Sequence, residues 1–160
     1  TEVAHKVKAH YLIASDPDSD RIGIGYIDPN LNSPIESYSK AIFLNGNEQL
    51  ALSIYFLALT HTFSKNDVFI KTRVSSNLYT KFIEKIGSKL FHVLVGFKYF
   101  GQISNYYVEQ LLKKHSSATE KLFSRIEYSK KSFLDRKALY ENYDIPRFIH
   151  GGEESMGQNM

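Results

Sequence analysis

The 160-residue sequence contains no cysteine. It therefore has no disulfide framework, no thiolate ligand for a metal and no cysteine nucleophile. A reducing compartment permits this composition, and we expect a cytoplasmic protein. The sequence also lacks an apolar run of the roughly 20 residues needed to span a bilayer. The longest candidate, residues 50–59, predicts a buried helix, so we expect no membrane partner.

A strong excess of charge is also missing. The formal net charge is only +3, and lysine outnumbers arginine 15 to 5. Proteins that read bases rely on the bidentate contacts of arginine. We therefore expect the lysine pairs at 113–114 and 130–131 to be solvated helix ends and expect no nucleic-acid partner. The opposing hypothesis, nucleic-acid binding through these lysines, predicts an affinity that falls steeply with salt.

The first 40 residues predict a β-hairpin and then a loop. Two short apolar segments, residues 11–15 and 21–28, predict strands on either side of a tight acidic turn. Residues 29–39 carry two prolines with several serines and asparagines, a composition typical of a loop. We place a domain boundary there.

Beyond residue 40 the pattern alternates between helices and strands. Helices are predicted at 50–63 and 78–86, and strands at 67–74, 90–95 and 147–150. Residues 104–144 predict a helical insertion, with Ser117–Glu120 as a capping box. The alternation predicts an α/β fold: a βαβ-type layered domain with a largely parallel or mixed sheet flanked by helices. The hairpin before it would be the end of another α/β domain.

An acidic motif, Asp16-Pro17-Asp18-Ser19-Asp20-Arg21, follows the first predicted strand. Carboxylates at every second position can converge on one hard cation, and Mg²⁺ takes oxygen ligands while leaving positions open for a phosphate. An EF-hand Ca²⁺ loop is excluded because its sixth position requires Gly and its twelfth Glu, whereas Arg21 and Ile27 stand there. Arg21 suits contact with a phosphate or sugar oxygen. An acidic turn with a salt-bridging arginine is an equally good interpretation of the spacing alone.

This motif, followed by Ile22-Gly23-Ile24, resembles the metal-binding loop of the α-D-phosphohexomutases, the phosphoglucomutase/phosphomannomutase family. Three more segments resemble family motifs and occur in the family's order. Residues 44–48 are similar to the segment that opens the third domain, residues 95–99 to the Thr-Gly-Phe-Lys loop, and residues 152–155 to the sugar-recognition loop. The resemblance implies that residues 1–40 are the C-terminal part of domain II and that residues 41–160 are an incomplete domain III with the insertion at about 104–144.

The resemblance also implies roles for individual residues. It implies metal binding by Asp16, Asp18 and Asp20, catalytic roles for Arg21 and Lys98, and substrate binding by Gly96, Lys98, Glu153 and Ser155. Because Glu153 and Ser155 are two apart in an extended segment, both can reach adjacent sugar hydroxyls while Glu154 faces elsewhere. Lys98 can present an ammonium group to a phosphate or act as a proton donor. An ordinary surface lysine and a glycine-rich surface turn are the alternatives.

Two departures from the family are informative. Val95 replaces the usual Thr of the Thr-Gly-Phe-Lys loop, so a hydroxyl contact is lost. The family's catalytic serine lies in a Thr-Ala-Ser-His-Asn-Pro-like loop, and no Ser-His-Asn occurs in these 160 residues. The sequence also begins Thr-Glu-Val rather than with Met. We therefore expect a fragment that is inactive alone and whose partners are the remaining domains of the same parent protein.

The parent activity implied by the resemblance is that of a phosphosugar mutase. Such an enzyme moves a phosphoryl group between the C1 and C6 (or C5) hydroxyls of an aldose phosphate through an active-site phosphoserine. Mg²⁺ and a sugar 1,6-bisphosphate activator are the implied cofactors, and a phosphosugar is the substrate. The sequence does not decide whether the substrate is a glucose, mannose or pentose phosphate. The alternative hypothesis is a non-catalytic mutase-like module that binds a metal or a sugar phosphate.

Overall fold

A computed structural model of the chain describes residues 3, 6–19, 21–27, 41–154 and 158–159. The strands are β1 Tyr11–Ser15, β2 Ile22–Ile27, β3 Ala41–Leu44, β4 Asp67–Thr72, β5 Lys89–Val93, β6 Arg147–Gly152 and β7 Gln158–Asn159. The helices are α1 Gly46–Thr60, α2 Asn77–Ile86, α3 Phe97–Thr119, α4 Arg125–Lys130 and α5 Phe133–Asn142. Within the described ranges, no helix has both the length and the apolar character that crossing a membrane requires.

The first sheet is antiparallel, in the order β1-β2-β3. Strands β1 and β2 form the predicted hairpin, with Tyr11 opposite Tyr26 and Ser15 opposite Ile22. Strand β3 was not expected from the sequence, yet it pairs with β2 over its whole length. The boundary predicted at residue 40 therefore falls immediately before a strand that joins the hairpin sheet. The division into two domains stays a prediction.

The second sheet has the order β5-β4-β6-β7. Strands β5, β4 and β6 run parallel, and β7 pairs with β6 in the antiparallel sense. Parallel strands need long crossover connections, which α2 provides between β4 and β5 and the helices α3 to α5 provide between β5 and β6. This arrangement confirms the predicted α/β fold class, with a mixed sheet flanked by helices.

Strand β4 is the centre of the core, and all six of its residues are buried. Its side chains alternate between the two faces of the sheet. Phe69 packs with residues of α1 and α2 on one face, whereas Val68 and Ile70 pack with Phe100 of α3 on the other. Burial on both faces is typical of a central parallel strand, and it places α1 and α2 on one side of the sheet and α3 on the other.

Helix α1 is less buried than the sequence predicts. Leu50 and Ile54 enter the core, but Tyr55, Phe56 and Leu59 are more than half exposed. The helix is apolar on most of its circumference, and only one of its sides packs against the sheet and α2. Composition alone could not show this because it indicates how apolar a helix is and not how many neighbours surround it.

Helix α3 also departs from expectation. It begins at Phe97, seven residues before the predicted start of the helical insertion, and continues to Thr119. The predicted capping box Ser117–Glu120 therefore lies at the end of a helix, where Glu120 adopts a left-handed conformation with φ 55°. The same Ser-x-x-Glu spacing recurs at Ser124–Glu127 and there caps α4 with both hydrogen bonds. A cap contributes only about 1 kcal/mol. The packing of the longer helix therefore decides which of the two Ser-x-x-Glu segments caps a helix.

Candidate active site

A cavity of about 490 Å³ lies where the hairpin meets the end of β6. Its walls come from the end of β1, from the acidic turn and the start of β2, and from Glu154, which follows β6. The cavity brings Asp16 and Arg21 together with Glu154 from the far end of the sequence. In open α/β sheets, ligands bind beyond the carboxyl ends of the parallel strands, which is where this cavity is found.

The acidic turn is held by its own hydrogen bonds. The backbone N–H of Ser19 donates to the carbonyl oxygen of Asp16 at 3.0 Å, and Ser19 has a left-handed φ of 59°. Asp and Ser favour such turns because their short polar side chains bond to the nearby backbone. The turn therefore reverses the chain between β1 and β2 and places Asp16 beside Arg21.

Arg21 donates two hydrogen bonds to Asp16. Its backbone N–H donates to Oδ1 at 3.2 Å, and its Nε donates to Oδ2 at 2.6 Å. Partial burial of Asp16 opposes ionisation, but the side-chain and backbone bonds from Arg21 outweigh it, with a contribution from Asp18, and hold the pKa of Asp16 below its usual 3.8. Asp16 is therefore an ionised acceptor near neutral pH, next to a guanidinium group.

The predicted metal ligands are only partly described. Asp16 and Asp18 lie in the turn with their side chains close enough to interact, whereas Asp20 lies outside the described residues. Among the residues that are described, no group of three or more His, Asp or Glu side chains could hold a metal ion. The oxygen donors of Asp16 and Asp18 are of the kind that Mg²⁺ prefers. The three-aspartate metal site stays a prediction.

Glu154 lines this cavity, whereas Glu153 does not. Its Oε2 accepts hydrogen bonds from the hydroxyls of Thr72 at 2.9 Å and Ser75 at 3.2 Å. These two hydroxyls lie 2.7 Å from each other. Together Thr72 and Ser75 form a hydroxyl cradle that holds Glu154 in the cavity wall, because a carboxylate that is partly withdrawn from water needs such partners. Neither residue was predicted as part of a site. The signal in the sequence was the hydroxyl residues at the end of a buried strand and just after it.

A buried lysine supports the hydroxyl cradle. Lys71 is 1% exposed, and its ammonium group donates to the carbonyl oxygens of Ser75 at 2.7 Å and Ser76 at 3.0 Å. Burial lowers the pKa of Lys71. On the other side, the backbone N–H of Ser76 donates to the amide oxygen of Asn47, at the start of α1, at 2.8 Å. The segment after β4 is thus fixed from two directions.

Glu153 takes a position different from that of Glu154. It is 7% exposed, and its Oε2 accepts a hydrogen bond from the backbone N–H of Gly96 at 3.1 Å. Gly96 has φ 123°, a conformation that side chains rarely allow. Two of the predicted substrate-binding residues therefore contact each other. Ser155 lies outside the described residues, and substrate binding by Gly96, Lys98, Glu153 and Ser155 stays a prediction.

Lys98 lies in the first turn of α3 rather than on a loop. Its side chain is exposed, and its ammonium group sits 4.9 Å from the ring centroid of Tyr99. It is not among the residues that line the cavity of Asp16, Arg21 and Glu154. Its predicted contact with a phosphate remains a hypothesis.

Residues 45–115 match the family model described as phosphoglucomutase/phosphomannomutase, alpha/beta/alpha domain III. A protein of Mycoplasma genitalium named phosphomannomutase is 32% identical over 102 residues, a match that covers 64% of this chain and 17% of the relative. A protein of Staphylococcus aureus (strain N315) named phosphoglucomutase is 31% identical over 101 residues, covering 63% and 17%. The chain thus spans less than a fifth of the length of these relatives.

A crystal structure from Thermus thermophilus that bears the name of a phosphomannomutase is similar to 93% of this chain and to 22% of its own. The TM-score is 0.47 and the sequence identity is 20%.

Proposed function

Since residues 45–115 belong to domain III of the phosphoglucomutase/phosphomannomutase family, we propose that this chain supplies part of the active site of a phosphosugar mutase. The observation that carries the proposal is the cavity in which Asp16, Arg21 and Glu154 meet. It joins a guanidinium group and two carboxylates at the carboxyl end of a parallel sheet. Such a combination suits a ligand that carries both a phosphate and hydroxyl groups.

The reaction is the transfer of a phosphoryl group between the C1 and C6 (or C5) hydroxyls of an aldose phosphate. Such transfers depend mainly on positioning and on electrostatic stabilisation. Arg21 would bind phosphate oxygens, with its guanidinium oriented by the bond from Nε to Asp16. Asp16, Asp18 and Asp20 would hold Mg²⁺, which neutralises charge on the transferring phosphoryl group when bound.

The two carboxylates at the end of β6, Glu153 and Glu154, would have different roles. Glu154, held by Thr72 and Ser75 in the cavity wall, would accept hydrogen bonds from sugar hydroxyls. Glu153 would keep the segments after β5 and β6 together through Gly96. This assignment differs from the one that the family resemblance implies, in which Glu153 and Ser155 contact the sugar.

The nucleophile would come from residues outside this sequence, because no Ser-His-Asn occurs in it. We therefore propose that the 160-residue chain binds sugar phosphate without turning it over, even with Mg²⁺ and a sugar 1,6-bisphosphate. Interconversion of glucose 1-phosphate by the rigorously purified chain would contradict this part of the proposal.

Binding of glucose 1-phosphate and mannose 1-phosphate tests the site directly. We expect the ³¹P resonance of at least one of them to shift saturably when the chain is titrated in the presence of Mg²⁺. Arg21→Gln should weaken this binding about tenfold or more, because a charge-assisted hydrogen bond contributes roughly 1.5–3 kcal/mol. The matched control is Arg125→Gln, since Arg125 lies on α4 outside this cavity. Equal affinity of the wild-type chain and the Arg21 variant would refute the site.

A further inference from the structure

A second cavity, of about 290 Å³, lies between the helices α3 to α5 and the start of β6. Its lining includes three aromatic residues and three cationic ones: Tyr128, Phe133, Tyr140, Arg136, Lys137 and Arg147. Arg147 begins β6, whereas Glu154 follows its other end. Because a strand rises about 3.3 Å per residue, the two cavities are on the order of 20 Å apart.

One wall of this second cavity contains a buried guanidinium with an unused donor. The Nε and Nη2 atoms of Arg147 both reach Oδ1 of Asp67 at 3.2 Å. The Nη1 atom is buried and has no hydrogen-bond partner in the described part of the chain. Buried polar groups without partners are uncommon in folded proteins. Arg147 thus lines this wall with a guanidinium whose hydrogen-bonding capacity the described residues do not fully satisfy.

The tyrosine pair supplies another unused donor. The hydroxyls of Tyr128 and Tyr140 lie 3.2 Å apart, so one of them donates to the other. The second hydroxyl proton has no acceptor among the described residues. Burial, followed by the hydrogen bond with Tyr128, raises the pKa of Tyr140 well above its usual value. Tyr140 is therefore protonated at neutral pH, and the pair presents an O–H donor.

Cationic groups surround the same space. The guanidinium of Arg136 stacks 5.7 Å from the ring centroid of Tyr128, and within the described ranges its side chain forms no ion pair or hydrogen bond. Lys137 contacts the exposed Glu141 at 3.7 Å, a separation at which surface pairs contribute little. No described acidic residue lines the cavity itself. The charged residues of the lining are therefore Arg136, Lys137 and Arg147, and Asp67, which pairs with Arg147, is not part of the lining.

We propose that this second cavity binds a small phosphate monoester whose body is a ring. Three cationic side chains and the tyrosine O–H donor suit a dianion with three terminal oxygens better than a carboxylate with two. The aromatic side chains of Tyr128, Phe133 and Tyr140 line the same cavity and supply apolar surface that suits a ring body. The site shares no residue with the candidate active site, so it stands independently of the proposed function.

Phenyl phosphate is the probe that tests the second cavity. Isothermal titration of the 160-residue chain should show saturable one-to-one binding of phenyl phosphate, weaker binding of benzoate and none of phenol. Arg136→Gln should weaken phenyl phosphate binding about tenfold or more, because it removes an unpaired guanidinium from the wall. Arg125→Gln is the matched control because its guanidinium already pairs with Glu109 and Asn105 outside the cavity. It should leave the affinity unchanged.

A second variant keeps the proposal testable if Arg136→Gln does not fold. Tyr128→Phe removes one hydroxyl of the pair and should weaken phenyl phosphate binding severalfold. Arg21→Gln should leave it unchanged, since Arg21 lines the other cavity. Three results would overturn the proposal: no saturable binding to the wild-type chain, equal losses in the variants at Arg136 and Arg125, or loss of binding in Arg21→Gln. Tighter binding of benzoate than of phenyl phosphate would overturn the assignment to phosphate monoesters.

Discussion

The Oε2 atom of Glu153 accepts a hydrogen bond from the backbone N–H of Gly96 at 3.1 Å. This bond joins the segment after β6 to the segment after β5, although the two residues are far apart in the sequence. The neighbouring carboxylate, Glu154, instead accepts hydrogen bonds from Thr72, the last residue of β4, and from Ser75 after it. Adjacent glutamates therefore connect the ends of three parallel strands. We expect substitution of each to have a different effect on stability and on ligand affinity.

Glu153→Ala should lower the free energy of unfolding by about 1–3 kcal/mol, because it leaves the N–H of Gly96 without this acceptor. Glu154→Ala should cost less, since the hydroxyls of Thr72 and Ser75 are 2.7 Å apart and can still bond each other. Urea denaturation of the two variants measures the difference. Sugar-phosphate affinity should show the opposite order, with the larger loss at Glu154. If the same variant showed the larger loss in both stability and affinity, the separate roles proposed for Glu153 and Glu154 would be contradicted.

Gly151→Ala should destabilise the protein by about 1–3 kcal/mol, the usual cost of overpacking a core. A methyl group at Gly151 would come within 2.6 Å of the Phe100 ring and 2.9 Å of the carbonyl oxygen of Ile70. The matched control is Gly101→Ala in α3, where a methyl group meets no atom within 4 Å. This control should stabilise the protein by up to about 1 kcal/mol, because alanine is a better helix former. Thermal unfolding of both variants would show opposite signs; equal shifts would refute the packing argument.

Arg21→Gln should raise the pKa of Asp16, because it removes the side-chain bond that helps keep this pKa below 3.8. A carboxyl group whose pKa is depressed by folding contributes stability above its unfolded pKa, and that contribution is lost as the pH falls through its folded pKa. The stability of the wild-type chain should therefore fall more than that of the variant as the pH drops below 3.8. The ¹³C resonance of the Asp16 carboxyl group measures the pKa directly. An unchanged midpoint would mean that Arg21 does not control Asp16.

Asp67→Asn should destabilise the fold by about 3–5 kcal/mol, because it leaves the buried Arg147 guanidinium without its charged partner. The side chains of Asp67 and Arg147 are 6% and 12% exposed. Glu109→Gln provides a surface comparison, since its pair with Arg125 spans 3.6 Å and both side chains are more than half exposed. This second change should cost no more than about 1 kcal/mol. Urea denaturation compares the two, and similar losses would show that burial does not govern these ion pairs.

Local patterns in the sequence predicted much of the fold. The predicted helix 78–86 matches α2, which Ser76 caps and Gly87 ends in the left-handed conformation, with the φ of 72° that favours glycine. Asn45 caps α1 through a reciprocal pair of bonds with Glu48. The hairpin and the alternation of strands and helices were also visible, because each depends on residues that are close along the chain.

The sequence by itself determined the α/β class, the acidic turn and the order of the family-like segments, since these follow from composition and short-range spacing. Only the tertiary structure decided which Ser-x-x-Glu caps a helix, how much of α1 is covered and which glutamate enters the cavity with Asp16 and Arg21. Alternation places Glu153 and Glu154 on opposite sides of a strand but cannot say which side carries the site. The positions of Thr72, Ser75 and Gly96 determine which group each glutamate contacts. All three lie more than 50 residues from the glutamates along the chain, where no local pattern could reveal the contact.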